Sequence, residues 1–188
     1  NNAYVKECLA NMSDIARMTG HDDEAAYYDQ WQQTLRQRLI DEFWNPADST
    51  FASASPLDLS IAVMSRIATG TMAQAVNEKL VCLSREQYNS HIAVGLVGVP
   101  VFTEWATHWQ QTELMYDILK QPDYPGYLHM VRSGSATTWE SWDHRRSSIH
   151  NCYNGIGTWF YEALGGIIPT APAYRHVRIE PQSACRLD

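Results

Sequence analysis

The residue types best suited to chemistry lie at residues 139–143, which read Trp-Glu-Ser-Trp-Asp. One carboxylate, Glu140, lies between two indole rings, and a second carboxylate, Asp143, follows. Flat aromatic rings pack against the apolar face of a pyranose, and carboxylates carry out the proton transfers of glycosidic cleavage. The stretch therefore favours a sugar site. A buried aromatic loop with one acid bonded to backbone N–H groups fits the same residue types, so both interpretations stay open.

Glu140 is the best single candidate for a catalytic group. Packing beside Trp139 and Trp142 would raise its pKa through desolvation. A general base must instead stay ionised and hold a water, which requires hydrogen-bond donors around the carboxylate. The nearest candidate donors in the sequence are Thr137, Thr138 and Trp142. For either indole alone, core packing and stacking on a sugar are equally good predictions.

Polar residues after Glu140 supply further candidates. Asp143 can orient a sugar hydroxyl, although a salt bridge with Arg145 or Arg146 is the more common arrangement for such a residue. The arginine pair is expected to be solvated, with contact to an anionic group of a glycan as the alternative. His150 lies in the same stretch and can hydrogen bond a sugar hydroxyl. The histidine spacing matches no zinc motif, so we expect no metal and no cofactor.

Helical periodicity dominates the elements that must position this stretch. Apolar residues at helical spacing, with Gly and Pro at the boundaries, predict helices over 3–19, 22–43, 56–68, 71–88, 111–120 and 155–167. Two further short helices are predicted within 91–109. The first helix should bury one apolar stripe, composed of Val5, Cys8, Leu9, Met12, Ile15 and Ala16.

Residues 121–154 differ from the rest, because Pro122, Pro125, Gly126 and Gly134 forbid a long regular element. A long irregular segment inside a compact domain is usually functional. After the last helix, residues 174–181 alternate well enough to form one strand. Seven or eight helices in consecutive hairpins with one late strand predict an all-α array or toroid. Six hairpins need roughly 200 residues before any loops, so we expect only part of a toroid here.

Composition sets outer bounds on function. A chain of 188 residues with 45% hydrophobic and 19% charged residues is globular and long enough for one core. The net charge of −7 argues against a nucleic-acid partner, and no apolar run approaches the ~20 residues of a membrane span. The four cysteines are scattered, which predicts ordinary buried thiols. The chain opens on Asn1 rather than Met, so we expect a longer parent polypeptide and leave compartment and oligomeric state open.

Several segments together resemble the catalytic domain of bacterial α-L-rhamnosidases, glycoside hydrolase family 78. The family shows a Tyr-Pro, then Gly-Ala-Thr-Thr-x-Trp-Glu-x-Trp, then an aromatic helix and a strand ending in Pro. The matching segments here are 124–127, 133–142, 154–161, 165–167 and 174–181.

This resemblance implies a fold, a reaction and roles for residues. It implies an (α/α)6 toroid, with residues 1–170 as the C-terminal portion of its catalytic domain and 171–188 as the start of a C-terminal β-domain or a linker strand. It implies hydrolysis of terminal α-L-rhamnosyl bonds with inversion, and therefore rhamnose-containing glycans or glycosides as partners. The bacterial cytoplasm or periplasm is the expected compartment. Glu140 would be the general base, and Trp139 and Trp142 would help wall the sugar pocket.

The departures from the family pattern also carry expectations. The usual sugar-binding His falls at Asn151, with His150 beside it. The family's general acid lies in an acidic motif upstream of the matched region, and we find no counterpart in this chain. The acid is therefore expected from another part of the parent polypeptide. A carbohydrate-binding relative without activity, and a toroid glycosidase for a different sugar, are the alternatives.

Overall fold

The structure, a computed structural model, describes residues 1–183. Cys185 lies outside the described residues. In chain order the helices and strands are α1 (Asn2–Met18), α2 (Asp22–Phe43), β1 (Trp44–Asn45), β2 (Thr50–Phe51), α3 (Pro56–Met64), α4 (Gly70–Glu86), α5 (Gly98–His108), α6 (Thr112–Leu119), α7 (Tyr127–Arg132), α8 (Ile156–Trp159), β3 (Ile167–Pro169) and β4 (Val177–Ile179). A π-helical turn, Phe160–Leu164, continues α8. The described residues divide into two compact units, unit 1 (1–79) and unit 2 (80–183).

The predicted helices are present except for one of the two short helices in 91–109, and other differences concern their bounds. The helix predicted over 56–68 ends at Met64, and α7 is an unpredicted helix inside the segment 121–154. Residues 91–95 are irregular and 96–97 form a turn in place of the first short helix, because Gly95 disfavours a regular run before α5 begins at Gly98. Between α2 and α3, the strands β1 and β2 form a small antiparallel hairpin, in which Trp44 pairs with Phe51. The last helix has only four α-helical residues before its π-helical turn.

Unit 1 begins with an antiparallel hairpin of α1 and α2, joined at Gly20, whose φ of 79° favours glycine. The buried residues of α1 are Lys6, Ser13 and Ala16. The predicted burial of the whole apolar stripe is therefore wrong for Val5, Met12 and Ile15, which are 50%, 42% and 53% exposed, and for the exposed Cys8.

These apolar residues are exposed because the buried side of α1 contains polar side chains that hydrogen bond to neighbouring elements. The Ser13 hydroxyl donates to the Ala25 carbonyl or to Asp29, and the Lys6 ammonium donates to the Ser65 carbonyl at 2.7 Å. Burial, together with nearby Arg66 and Arg36, lowers the pKa of Lys6. A periodic pattern identifies the helix, but it does not say which of its sides the neighbouring elements cover.

Unit 2 contains a core of large side chains from α5, α6 and α8. Its fully buried members include Trp105, Leu114, Met115, Ile118 and Trp159. The start of α8 lies close to α5, since a Cβ on Gly155 would lie 3.3 Å from the Pro100 Cα. Segment 121–154, which contains α7, belongs to the same compact unit as this core.

The predicted late strand is present as β4, but it has an unpredicted antiparallel partner, β3. Ile167 lies opposite Ile179, and both Val177 and Ile179 are exposed. Gly166 allows the close approach: its φ is 63°, and a Cβ there would lie 2.2 Å from the Glu180 carbonyl carbon. The assignment of residues 171–188 to a further β-domain or linker stays a prediction. No helix within residues 1–183 is long and apolar enough to cross a membrane.

Candidate active site

The Trp-Glu-Ser-Trp-Asp stretch lies in an irregular hairpin, residues 137–150, which we call the catalytic loop. Backbone hydrogen bonds join its two sides: the Glu140 amide donates to the Ser147 carbonyl at 3.0 Å, and the His150 amide donates to the Thr138 carbonyl at 2.9 Å. At the tip, His144 has a φ of 56°. A sharp turn at this point brings residues six or seven positions after Glu140 back to it.

Both indoles of the catalytic loop lie in the interior. Trp142 is 9% exposed, stacks on Tyr153 with ring centroids 3.9 Å apart, and donates its Nε1–H to the Val94 carbonyl at 2.8 Å. Trp139 is 4% exposed and stacks on His144 at 4.1 Å. The geometry favours the core-packing interpretation that the sequence left open. Direct stacking of a sugar on either ring stays a prediction.

The Glu140 carboxylate accepts hydrogen bonds from two groups on the opposite side of the loop. The Ser147 amide donates to Oε2 at 3.2 Å, and the Arg146 guanidinium donates to Oε1 at 3.5 Å. The Ser147 N–H first, and then Arg146 and His150, lower the pKa of Glu140 below its ordinary value despite some opposing desolvation. Hydrogen bonds and positive charge to the ionised form thus outweigh burial.

The candidate donors named from the sequence are wrong. The hydroxyls of Thr137 and Thr138 lie against the carbonyls of Ser148 and His150, and the Trp142 N–H is bonded to Val94. These groups stabilise the loop and do not contact the Glu140 carboxylate. The predicted rise in pKa from the two indoles is likewise not the net effect.

Asp143 forms the salt bridge that the sequence favoured. Its carboxylate lies 3.1 Å from the Arg145 guanidinium, and both residues are exposed. The Ser141 hydroxyl and then Arg145 lower the pKa of Asp143. A general acid needs a raised pKa, because it must hold a proton at the working pH. Asp143 is therefore poorly suited to protonate a leaving group.

A cavity of about 560 Å³ opens beside the catalytic loop. Its walls come from α7, from the residues before Glu140 and from the residues after the loop. The lining residues are Tyr127, Met130, Val131, Ser135, Ala136, Thr137, Thr138, Ile149, His150, Asn151 and Asn154. Apolar side chains thus occur in the same walls as hydroxyl, imidazole and amide groups, as small-molecule sites commonly show.

His150 and Asn151, the two candidates for the sugar-binding position, both line this cavity. The Cys152 amide donates to His150 Nδ1 at 3.1 Å, so the neutral imidazole carries its proton on Nε2 and can donate a hydrogen bond. Glu140 is not among the lining residues, and the catalytic loop reaches the cavity through Thr137, Thr138, Ile149 and His150. The lining residues Asn154 and Ile149 were not identified from sequence, since nothing in their spacing marks them.

Thr138 connects the cavity wall to the loop, so its replacement makes a clear prediction. Its hydroxyl lies 2.6 Å from the His150 carbonyl oxygen and 2.7 Å from Asn154 Oδ1. Thr138→Val keeps the shape but removes the hydroxyl, and one hydrogen bond contributes about 0.5–1.5 kcal/mol. We expect amide hydrogen exchange over 147–154 to accelerate roughly twofold to tenfold. Thr138→Ser keeps the hydroxyl and should remain near wild type; equal acceleration in both variants would contradict this role.

No group of three or more His, Cys, Asp or Glu side chains in the described part of the chain could hold a metal ion.

The sequence did not identify Ser147 and Arg146 as the hydrogen-bond partners of Glu140. The only signal for them in the sequence is the polar Asp-His-Arg-Arg-Ser run at 143–147, which is typical of a loop that turns back on itself.

Comparison with known proteins defines the class. The chain belongs to the bacterial α-L-rhamnosidase six-hairpin glycosidase domain family, whose model matches residues 1–164. This finding confirms the predicted fold class, helical hairpins of an (α/α)6 toroid, and the family resemblance.

Three relatives are informative. The α-L-rhamnosidase of Alteromonas sp. (strain LOR) is 24% identical over 98% of this chain and 21% of its own length. The crystal structure of native α-L-rhamnosidase from Aspergillus terreus matches with a TM-score of 0.87 at 22% identity, over 95% of this chain and 22% of that one. The Streptomyces avermitilis α-L-rhamnosidase complexed with L-rhamnose matches with a TM-score of 0.85 at 24% identity, over 97% and 18%. The chain therefore spans about a fifth of the length of these relatives.

Proposed function

We propose that this chain is the C-terminal portion of the catalytic domain of an inverting α-L-rhamnosidase, in which Glu140 is the general base. One observation carries the proposal. In a chain of this family, the Glu140 carboxylate is held by the Ser147 amide and by Arg146, with its pKa lowered, in a loop whose residues Thr137, Thr138 and His150 line a cavity. A carboxylate in that state can accept a proton from water at neutral and mildly acidic pH.

The chemistry assigned to Glu140 is a single displacement. Glu140 removes a proton from a water as the water oxygen bonds to the anomeric carbon, on the face opposite the leaving group. The bond from that carbon to the leaving oxygen breaks, and a second carboxylic acid protonates the leaving oxygen. The lowered pKa of Asp143 does not fit this role. Because the acidic motif of the family has no counterpart in this sequence, we infer that the acid comes from another part of the parent polypeptide.

The cavity supports rhamnose as the sugar. Rhamnose is a 6-deoxy hexose, so it carries a methyl group as well as hydroxyls. Met130, Val131 and Ile149 offer apolar surface for the methyl group, and His150 and Asn151 offer hydrogen-bonding groups for hydroxyls. In this proposal the buried rings of Trp139 and Trp142 stabilise the catalytic loop. The ion pair of Asp143 with Arg145 stabilises the tip of that loop.

The test is an assay of the full-length protein on an aryl α-L-rhamnoside beside aryl glycosides of hexoses that keep the 6-hydroxyl. We expect turnover of the rhamnoside and at least tenfold lower kcat/KM for the others, since the apolar walls disfavour an added hydroxyl. A folded protein that turns over only another aryl glycoside would contradict the sugar assignment. A folded protein that binds L-rhamnose without turning over any of them would make the chain part of a binding relative.

A further inference from the structure

We propose that Arg146 is a positioning residue for the reaction, holding the Glu140 carboxylate in the orientation and charge state that a general base needs. This inference rests on the proposed function and adds a residue that the family resemblance does not assign. Its basis is the contact of Arg146 with Glu140 across the catalytic loop.

The two partners of Glu140 act differently on its carboxylate. The Ser147 amide at Oε2 is fixed by the backbone, because the Glu140 amide donates in return to the Ser147 carbonyl. Arg146, 3.5 Å from Oε1, is the side-chain partner and supplies a full positive charge. With Oε2 held by the backbone and Oε1 held by a side chain, the carboxylate has two anchors, one of which can be removed by substitution.

The other charged groups around Glu140 do not duplicate this role. His150 acts on the carboxylate through its charge only when it is protonated. The Cys152 thiol contacts the backbone carbonyl of Glu140, 3.6 Å away, and burial raises the pKa of that thiol, so it stays uncharged. Asp143 is neutralised by Arg145. Arg146 is therefore the permanent charge on the carboxylate among the described residues that hydrogen bond it.

The exposure of Arg146 limits how far its charge can lower the pKa of Glu140. The Arg146 side chain is 70% exposed and that of Glu140 is 28% exposed, so water and salt screen the pair. Loss of Arg146 removes a stabilising influence on the ionised carboxylate, and the pKa of Glu140 must rise. A general base is active in its ionised form, so the acidic limb of the pH profile should move to higher pH.

The experiment compares pH profiles of kcat/KM for the full-length protein and three variants on an aryl α-L-rhamnoside. In Arg146→Gln we expect the acidic limb to move to higher pH, with kcat/KM on that limb about twofold to fivefold lower. Arg146→Lys keeps the charge without the planar fork and should restore most of the limb position. Arg38→Gln, the matched control, removes the same charge from an exposed position of α2 and should leave the limb unmoved.

Three results would overturn the proposal: an unmoved limb in Arg146→Gln, a uniform loss of activity at all pH values, or an equal shift in Arg38→Gln. The second would indicate a merely structural role, and the third a general effect of net charge. Thermal unfolding of each variant identifies misfolding, and Arg146→Lys decides the case if Arg146→Gln is unstable. Failure of the base assignment is recognised separately, because Glu140→Gln would then retain turnover whatever Arg146 does.

Discussion

Glu140→Gln in the full-length protein is expected to reduce kcat on an aryl α-L-rhamnoside by about 10²- to 10⁴-fold, the usual contribution of general acid–base catalysis. Glutamine keeps the size of the side chain and an acceptor oxygen for the Ser147 amide, 3.2 Å from Oε2 in the wild type, but it cannot take a proton from water. The loop should therefore remain folded. Affinity for L-rhamnose, measured by calorimetry, is expected to stay within severalfold of wild type.

Two matched variants separate catalysis by Glu140 from a loss of negative charge. Asp143→Asn removes the neighbouring carboxylate, which is already paired with Arg145, and should cost less than about tenfold. Glu162→Gln changes a carboxylate in the π-helical turn Phe160–Leu164, which is not part of the catalytic loop, and should leave kcat unchanged. Full turnover in Glu140→Gln, or an equal loss in Asp143→Asn, would contradict the assignment of the base.

Trp142→Ala is expected to open the catalytic loop. The ring stacks on Tyr153, meets the edge of Tyr127 at 5.1 Å and hydrogen bonds the Val94 carbonyl, so its removal leaves a large cavity and an unpaired acceptor. Replacement of a buried Trp by Ala typically costs 3–5 kcal/mol. We expect hydrogen exchange of amides in 138–154 to accelerate by about two to four orders of magnitude, with loss of turnover.

Trp142→Phe provides the control for this variant. Phenylalanine retains the stack on Tyr153 but loses the hydrogen bond to the Val94 carbonyl, which leaves that acceptor unpaired at a cost of about 1–3 kcal/mol. Its exchange rates should lie between those of wild type and Trp142→Ala. Hydrogen exchange that is unchanged in Trp142→Ala while rhamnose affinity is lost would show that the ring stacks on the sugar and does not support the loop.

The sequence predicts the helices better than their burial. Periodicity and boundary residues such as Gly20 and Pro56 mark where helices begin and end, because backbone conformation is a local property. The exposed positions of Val5 and Ile15 could not be predicted, since burial depends on which elements pack against α1. The pairing of β3 with β4 could not be predicted either, because it depends on the close approach of the Gly166 and Glu180 backbones.

The candidate site shows the same division between local and non-local information. Residue type and setting identified Glu140, and the salt bridge of Asp143 with Arg145 joins close neighbours in the chain, so both could be predicted. The donors to Glu140 could not, because they depend on a loop that turns sharply at His144 and returns Ser147 to the carboxylate. Contacts across a loop of this kind can be identified only once the conformation of the loop backbone is known.

The first anomer released by the full-length protein shows whether Glu140 activates a water in a single displacement. Proton NMR at early times on an aryl α-L-rhamnoside detects the product before it mutarotates. If Glu140 activates a water on the face opposite the leaving group, β-L-rhamnose appears first and the α-anomer grows in later. Release of α-L-rhamnose as the first product would mean retention through a covalent intermediate, and Glu140 could not then be the general base of a single displacement.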